Sequence, residues 1–239
     1  MFDTVLWDID GTLMDFKKSE HEALYMALSS LGYVPGGEEI ALYSRINDSC
    51  WKRYEKGELD YDGIFTLRFR EFFDIIGISL DISRVNEIYR KNLGEIFFLN
   101  DGAKEVVKKL RGDGVRQYIV TNGYAQTQMR KAEKSGLSAI VDGIFISGLI
   151  GCPKPEKRFF DECFEKIGSV DKDRTVIVGD SLSSDILGGN NAGIRTVWFN
   201  TEGNENDKGV TVWREAKTLY EVYDIIKKEN GKSRPAIIR

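Results

Sequence analysis

The chain begins with a short apolar run, Val5-Leu6-Trp7, that ends in Asp8, Ile9, Asp10 and Gly11. An uninterrupted run of this kind is the pattern of a strand buried on both faces, and the glycine lets the chain turn at its end. From about Lys17 to about Phe97 the period changes. Apolar positions recur three and four apart in HEALYMALSSLGY, IFTLRFREFFDIIG and VNEIYRKNLGEIF, which predicts a series of helices. From Gly102 onward the predicted order is helix AKEVVKKLRGDG, strand VRQYIVTN, helix AQTQMRKAEKSG, strand GIFISG and helix KRFFDECFEKIG. Strand RTVIVGD, helix SDILGGNNAG, strand RTVWFN and a last helix around TLYEVYDIIKKEN follow. Such alternation implies a parallel sheet with helices on both faces, and the first strand must join it, because a lone parallel strand leaves its backbone groups unpaired.

The expected fold is therefore α/β, a Rossmann-like three-layer core with a parallel sheet. Residues 1–16 and 98–239 would form it, around an inserted all-helical domain at 17–97. The terminal GKSRPAIIR is expected to be a loosely held tail. With 239 residues, 41% hydrophobic and 30% charged, the chain is long enough for one full domain and a smaller one.

Composition removes several function classes. A formal net charge of -4 and no basic stripe argue against a nucleic-acid polymer as partner. No stretch approaches the roughly 18 consecutive apolar residues of a membrane helix. The N-terminus has no basic segment leading into an apolar one, so the chain reads as cytoplasmic, without a membrane partner. Cys50, Cys152 and Cys163 are too few and scattered for a disulfide framework, and none forms a C-x-x-C pair, so they are expected to be buried or idle thiols. His21 is the sole histidine, which leaves oxygen ligands and lysine to carry any chemistry.

In an open parallel sheet, ligands bind beyond the carboxyl ends of the strands. Asp8 and Asp10 leave the first strand, Thr121, Asn122 and Gly123 the second, and Asp180 the fourth, while Lys154 follows the third. Two carboxylates two residues apart point the same way in extended chain and repel unless a proton or cation lies between them. Mg2+ fits that place, the alternative being a plain acidic loop. The Thr121 hydroxyl with the N–H groups of Asn122 and Gly123 would hold an anion at a helix start, or simply cap the helix. Lys154, between Pro153 and Pro155, sits before a helix that Pro155 would head. There the macrodipole calls for a compensating anion, unless the side chain is merely solvated. Asp180 offers a third oxygen ligand. Asp185, in a helix start capped by Ser183 or Ser184, either orients Lys154 or the metal's waters, or is an ordinary first-turn acid.

DIDGTL, the TN after the second strand, the lysine of KPEKRFF and GDSLSSD, taken in order from Asp8 to Asp185, resemble the four motifs of the haloacid dehalogenase-like hydrolase superfamily. Its members are mostly Mg2+-dependent phosphatases, and the helical insert lies where subfamilies with a helical cap carry theirs. The resemblance implies that Asp8 is the nucleophile and Asp10 the general acid and base. It implies phosphoryl binding by Thr121, Asn122 and Lys154, and a Mg2+ site made by Asp8, the backbone carbonyl of Asp10, and Asp180. The metal-independent dehalogenases of the superfamily lack the second aspartate, so Asp10 argues against that branch. A narrower resemblance, through TNG and GDSLSSDILGGNNAGIRTVWFN, is to bacterial pyrimidine 5′-nucleotidases and implies a nucleoside monophosphate as small-molecule substrate.

Most insert aromatics, including Phe65, Phe69, Phe72 and Phe73, recur at helical spacing and are expected to form its core. The polar stretch YSRINDSCW leaves Arg45, Asn47 and Trp51 open to a role in substrate choice. Two alternatives stay open. One is a sugar-phosphate phosphatase or phosphomutase on the same core. The other, from a different class, is a receiver-like signalling module phosphorylated on aspartate, although such modules lack a helical insert.

Overall fold

The computed structural model describes residues 1–232. Among these, six strands form one parallel sheet: β1 (Thr4–Trp7), β2 (Arg116–Thr121), β3 (Gly143–Ile146), β4 (Thr175–Gly179), β5 (Arg195–Phe199) and β6 (Arg214–Ala216). Their order is β3-β2-β1-β4-β5-β6. The first strand of the sequence is thus central, with Trp7 level with Ile119 of β2 and Val178 of β4. Burial on both sides accounts for its continuous apolar run, since every residue of β1 is buried.

The helices are α1 (Phe16–Ser29), α2 (Gly37–Glu55), α3 (Tyr61–Ile76), α4 (Ile82–Glu95), α5 (Ala103–Gly112), α6 (Ala125–Lys134), α7 (Ser147–Ile150), α8 (Lys157–Ile167), α9 (Leu187–Ala192) and α10 (Leu219–Lys232). None among the described residues is long and apolar enough to cross a membrane. The short α7 and β6 have no sequence signal, because three or four residues cannot display a period. Gly231 and Lys232 of the expected tail end α10, and the rest of that tail lies outside the described residues.

The chain divides into two compact units. One comprises Met1–Met14, Leu99–Ala125 and the chain from Ser135 on; the other comprises Asp15–Phe98 and Gln126–Lys134, so most of α6 goes with the helical insert. In the sheet unit, Leu6, Tyr118, Val120 and Ile177 pack against Phe159, Phe160, Cys163 and Phe164 of α8 on one face. On the opposite face the Trp7 indole donates to Gln117 Oε1 (3.0 Å), and Gln117 Nε2 donates to the Val107 carbonyl of α5 (2.8 Å). This satisfies both buried polar side chains. The three cysteines are free and buried.

The helical unit has its own core. Tyr43 sits 5.0–5.6 Å, ring to ring, from Phe69, Phe72 and Tyr89, with Ala23, Leu24, Ala27 and Leu28 of α1 in the same cluster. Phe69, Phe72 and Phe73 are buried as their spacing predicts, whereas Phe65 is half-buried beneath the guanidinium groups of Arg68 and Arg90.

A buried polar network ties the first four helices together. Glu20 of α1 accepts from Ser44 Oγ (2.5 Å) and Asn47 Nδ2 (2.7 Å) of α2. Arg68 of α3 donates to Asn47 Oδ1 and Asn86 Oδ1, 3.0 Å each, and Asn86 of α4 donates to the Phe65 carbonyl. His21 Nε2 lies 3.2 Å from the same Ser44 hydroxyl, so the sole histidine belongs to this network.

Burial raises the Glu20 pKa to about 7, against the opposing pull of the Ser44 hydrogen bond and the Arg68 charge. A carboxyl whose folded pKa exceeds its unfolded value binds more protons when folded. Its contribution is therefore complete below the unfolded pKa and is lost as pH rises through the folded one. Glu20→Gln carries no titrating proton there. Its stability relative to wild type should rise between pH 4.5 and 7, by at most about 3 kcal/mol, and then level off. Paired urea melts across that range would measure it; a pH-independent difference would show that Glu20 does not titrate with folding.

Candidate active site

Because β1, β2 and β4 are adjacent and parallel, their carboxyl ends lie side by side, and the residues that follow them meet. Asp8 extends the ladder by one more bond, its N–H donating to the Val178 carbonyl (2.9 Å). The chain then closes a tight turn through Met14 N to Ile9 O and Gly11 N to Met14 O, 2.8 Å each.

Lys154 is the hub. It is 1% exposed, and its ammonium donates to Asp8 Oδ1 (2.8 Å), Asp185 Oδ1 (2.6 Å) and the Val120 carbonyl (2.9 Å), which uses all three of its protons. Burial alone would favour the neutral amine, but the charges of Asp185 and Asp8 outweigh it and raise the Lys154 pKa. The anion expected in front of this lysine is therefore a pair of protein carboxylates.

Asn122 at the end of β2 clamps the lysine's backbone. Its Nδ2 donates to the Lys154 carbonyl and its Oδ1 accepts from the Lys154 N–H, both at 2.8 Å. The Thr121 hydroxyl accepts from Gly123 N at 3.0 Å, so in this structure the threonine closes its own turn. Two local expectations are corrected. Pro155 does not head the helix, because α8 starts two residues later at Lys157, and the Lys154–Pro155 bond is cis. The cap before Asp185 is Ser181, whose hydroxyl accepts from Ser184 N (3.2 Å), not Ser183 or Ser184. The turn Leu182–Ile186 is π-helical, with both Asp185 N and Ile186 N donating to the Ser181 carbonyl.

Two glycines make room for two acids. A Cβ on Gly179 would lie 2.3 Å from the Asp185 carboxyl, and one on Gly11 would lie 2.4 Å from Asp180 Oδ2. Gly11 also has φ +92°, a conformation that favours glycine. Asp8, Asp180 and Asp185 each present an oxygen within 4.8 Å of the others, while Asp10 stands outside this cluster, half-buried.

Three carboxylates around one ammonium leave an excess of negative charge. Asp8, 6% exposed, has its pKa raised to about 7 by burial; Lys154 opposes this, and Asp185 and Asp10 add to it. Asp180 is pushed well above the usual carboxylate range by desolvation and then by the charges of Asp8 and Asp185. Since Asp180 is otherwise exposed, the like-charge repulsion is the cause that does not depend on burial. Asp8 Oδ2 is buried and accepts no hydrogen bond among the described residues. An orphaned buried oxygen beside further hard oxygen donors suits Mg2+.

Of the insert residues considered for substrate choice, Asn47 is buried in the Glu20–Arg68 network, Arg45 is exposed, and Trp51 is half-buried, edge-on to Tyr54 and Tyr61. Sequence reasoning missed Trp198 of β5, whose indole Nε1 donates to the Asp180 carbonyl at 2.9 Å. Its only signal was a tryptophan where the RTVWFN strand ends.

A parallel sheet whose central strand delivers an aspartate into an aspartate–lysine cluster defines a class, and the comparisons agree. A sequence model of the haloacid dehalogenase-like hydrolases matches residues 2–193, and the chain belongs to that family. Within it the chain is a phosphatase. It is 34% identical over 227 residues to the HAD-hydrolase YfnB of Bacillus subtilis, covering 95% of this chain and 96% of that one. A crystal structure of YfnB bound to magnesium superposes with a TM-score of 0.89 at 33% identity, over 94% of this chain and 98% of the other. The pyrimidine 5′-nucleotidases PynA of Streptococcus pneumoniae and YjjG of Escherichia coli are 31% and 28% identical, over 92% and 94% of this chain and 90% and 98% of theirs.

Gly11→Ala should displace Asp180 and lower phosphatase turnover on the order of 100-fold, the usual effect of a misplacement of about 1 Å at a reacting centre. Steady-state phosphate release beside a thermal melt would check it, and unchanged turnover would show that the Asp180 carboxylate can be repositioned without loss.

Proposed function

We propose that the protein is a Mg2+-dependent phosphomonoester hydrolase that works through an aspartyl-phosphate on Asp8 and takes nucleoside 5′-monophosphates, pyrimidine ones in particular. The observation that carries the mechanism is the buried Asp8–Lys154–Asp185 contact, with the unpartnered Asp8 Oδ2 beside Asp180. The substrate class is supported by the two relatives named as pyrimidine 5′-nucleotidases.

Asp8, aimed by Lys154 at its Oδ1, attacks phosphorus through a carboxylate oxygen. As that O–P bond forms, the ester P–O bond breaks, and Asp10 gives its proton to the departing oxygen. Asp10 then takes a proton from the water that attacks the aspartyl-phosphate, releasing phosphate and restoring Asp8. Lys154 offsets the negative charge of the transferring group at close range, and Thr121 with the N–H of Asn122 faces its oxygens. Asp8, Asp180 and the backbone carbonyl of Asp10 would hold Mg2+, which would supply positive charge to keep the carboxylates ionised and to neutralise phosphate. Asp185 acts one step back by holding Lys154. In the helical unit, the exposed Arg45 and half-buried Trp51 are the residues left for substrate choice, since the polar atoms of Asn47 are engaged elsewhere.

Phosphate release from a panel of nucleoside monophosphates and sugar phosphates should be led by UMP, dUMP or dTMP and stop with chelator. Asp8→Asn should lose turnover by at least about 1,000-fold while melting as a folded protein. Leadership by sugar phosphates would remove the nucleotide assignment, and turnover retained by Asp8→Asn would overturn the mechanism.

A further inference from the structure

The Asp180–Ser181 peptide unit is held at both ends. Its carbonyl accepts from Trp198 Nε1 at 2.9 Å, and its N–H donates to Asp185 Oδ2 at 3.1 Å. The other oxygen of Asp185 is bonded to Lys154, which in turn holds Asp8. A continuous line of hydrogen bonds therefore runs from the indole to the carboxylate at the end of β1. By contrast, among the described residues the side chain that hydrogen-bonds the Asp180 carboxylate is Thr12, whose hydroxyl makes a long contact of 3.4 Å to Oδ1; the other bond it accepts is from its own backbone. Its direction is set mainly by the backbone that carries it.

We propose that Trp198 is a positioning residue: its indole N–H fixes the plane of the Asp180–Ser181 peptide and so aims the Asp180 carboxylate at a divalent cation. Gly179 is paired with Trp198 across the β4–β5 ladder, so Asp180 is the first residue past the end of β4. There the indole replaces the ladder bond that the Asp180 carbonyl would otherwise lack. Trp198 is buried at the end of β5, which leaves its ring little freedom to turn. Phenylalanine keeps an aromatic ring in this space, though a smaller one, and without the N–H it leaves the carbonyl unpaired and the peptide free to rock. This inference rests on the reading of Asp180 as a cation ligand.

Calorimetric titration of Mg2+ into wild type, Trp198→Phe and Asp180→Ala tests both and separates them. Trp198→Phe should raise the Mg2+ dissociation constant about fivefold, the effect of one hydrogen bond of ordinary strength. Its turnover should return towards wild type at saturating Mg2+. A lower melting temperature with unchanged Mg2+ affinity would make Trp198 a packing residue only and overturn the proposal. If wild type binds no Mg2+, or Asp180→Ala binds it as wild type does, the cation reading fails and takes this inference with it. Should Trp198→Phe not fold, the indole 15N–1H resonance of Trp198 in the unsubstituted protein gives the answer. It should shift in step with Mg2+ binding, and a resonance that stays in place overturns the proposal.

Discussion

The Lys154 ammonium lies out of contact with water, and a charge can stay buried only if it is paired and every one of its protons is taken. Asp8, Asp185 and the Val120 carbonyl do this, and they come from three different strand ends. Removing one partner of such a set typically costs about 3–5 kcal/mol, because the remaining charge is left uncompensated. The same contact therefore serves the fold and the chemistry. It holds β1, β2 and the turn after β4 together, and it keeps a positive charge beside Asp8, the proposed nucleophile. The surrounding parts hold that hub in place: Asn122 grips its backbone, Ser181 starts the turn that carries Asp185, and Gly179 leaves the space Asp185 fills.

The parallel sheet was legible because its inner strands are short apolar runs that stop at polar residues, and that junction is a local feature. Asp8, Thr121 and Asp180 were visible for the same reason, and Lys154 because two prolines flank it. What was not legible depends on pairs distant in sequence. The Asn122 clamp spans 32 residues and the Trp198 bond spans 18, and neither leaves a trace in any window of periodicity. Asn47 shows the converse. Its polar surroundings invited a role with ligand, yet its partners Glu20 and Arg68 lie 27 and 21 residues away on other helices. Ser181 was passed over as the cap because the turn it starts is wider than an ordinary helical one.

Electrostatics and sterics divide the work at the strand ends. Lysine gathers Asp8 and Asp185 by attraction, whereas Asp180 is kept close to them by shape, against repulsion. Gly11 gives it space, and the backbone bonds on either side of its carbonyl and the next N–H fix its base. A like-charged cluster assembled in this way is poised to gain from a divalent cation, because the structural cost of gathering the carboxylates has already been met by folding.

The polypeptide first leaves the sheet unit at Met14 and returns at Leu99, before the second excursion of Gln126–Lys134, and Met14 and Leu99 are bridged to each other, with Asn100 bonding back to the Leu13 and Thr12 carbonyls. The exit and the return are stitched within the catalytic scaffold itself. Everything between them carries its own aromatic core and its own polar network. A splice closed in this way leaves the register of the central strands independent of how much chain lies between its two ends.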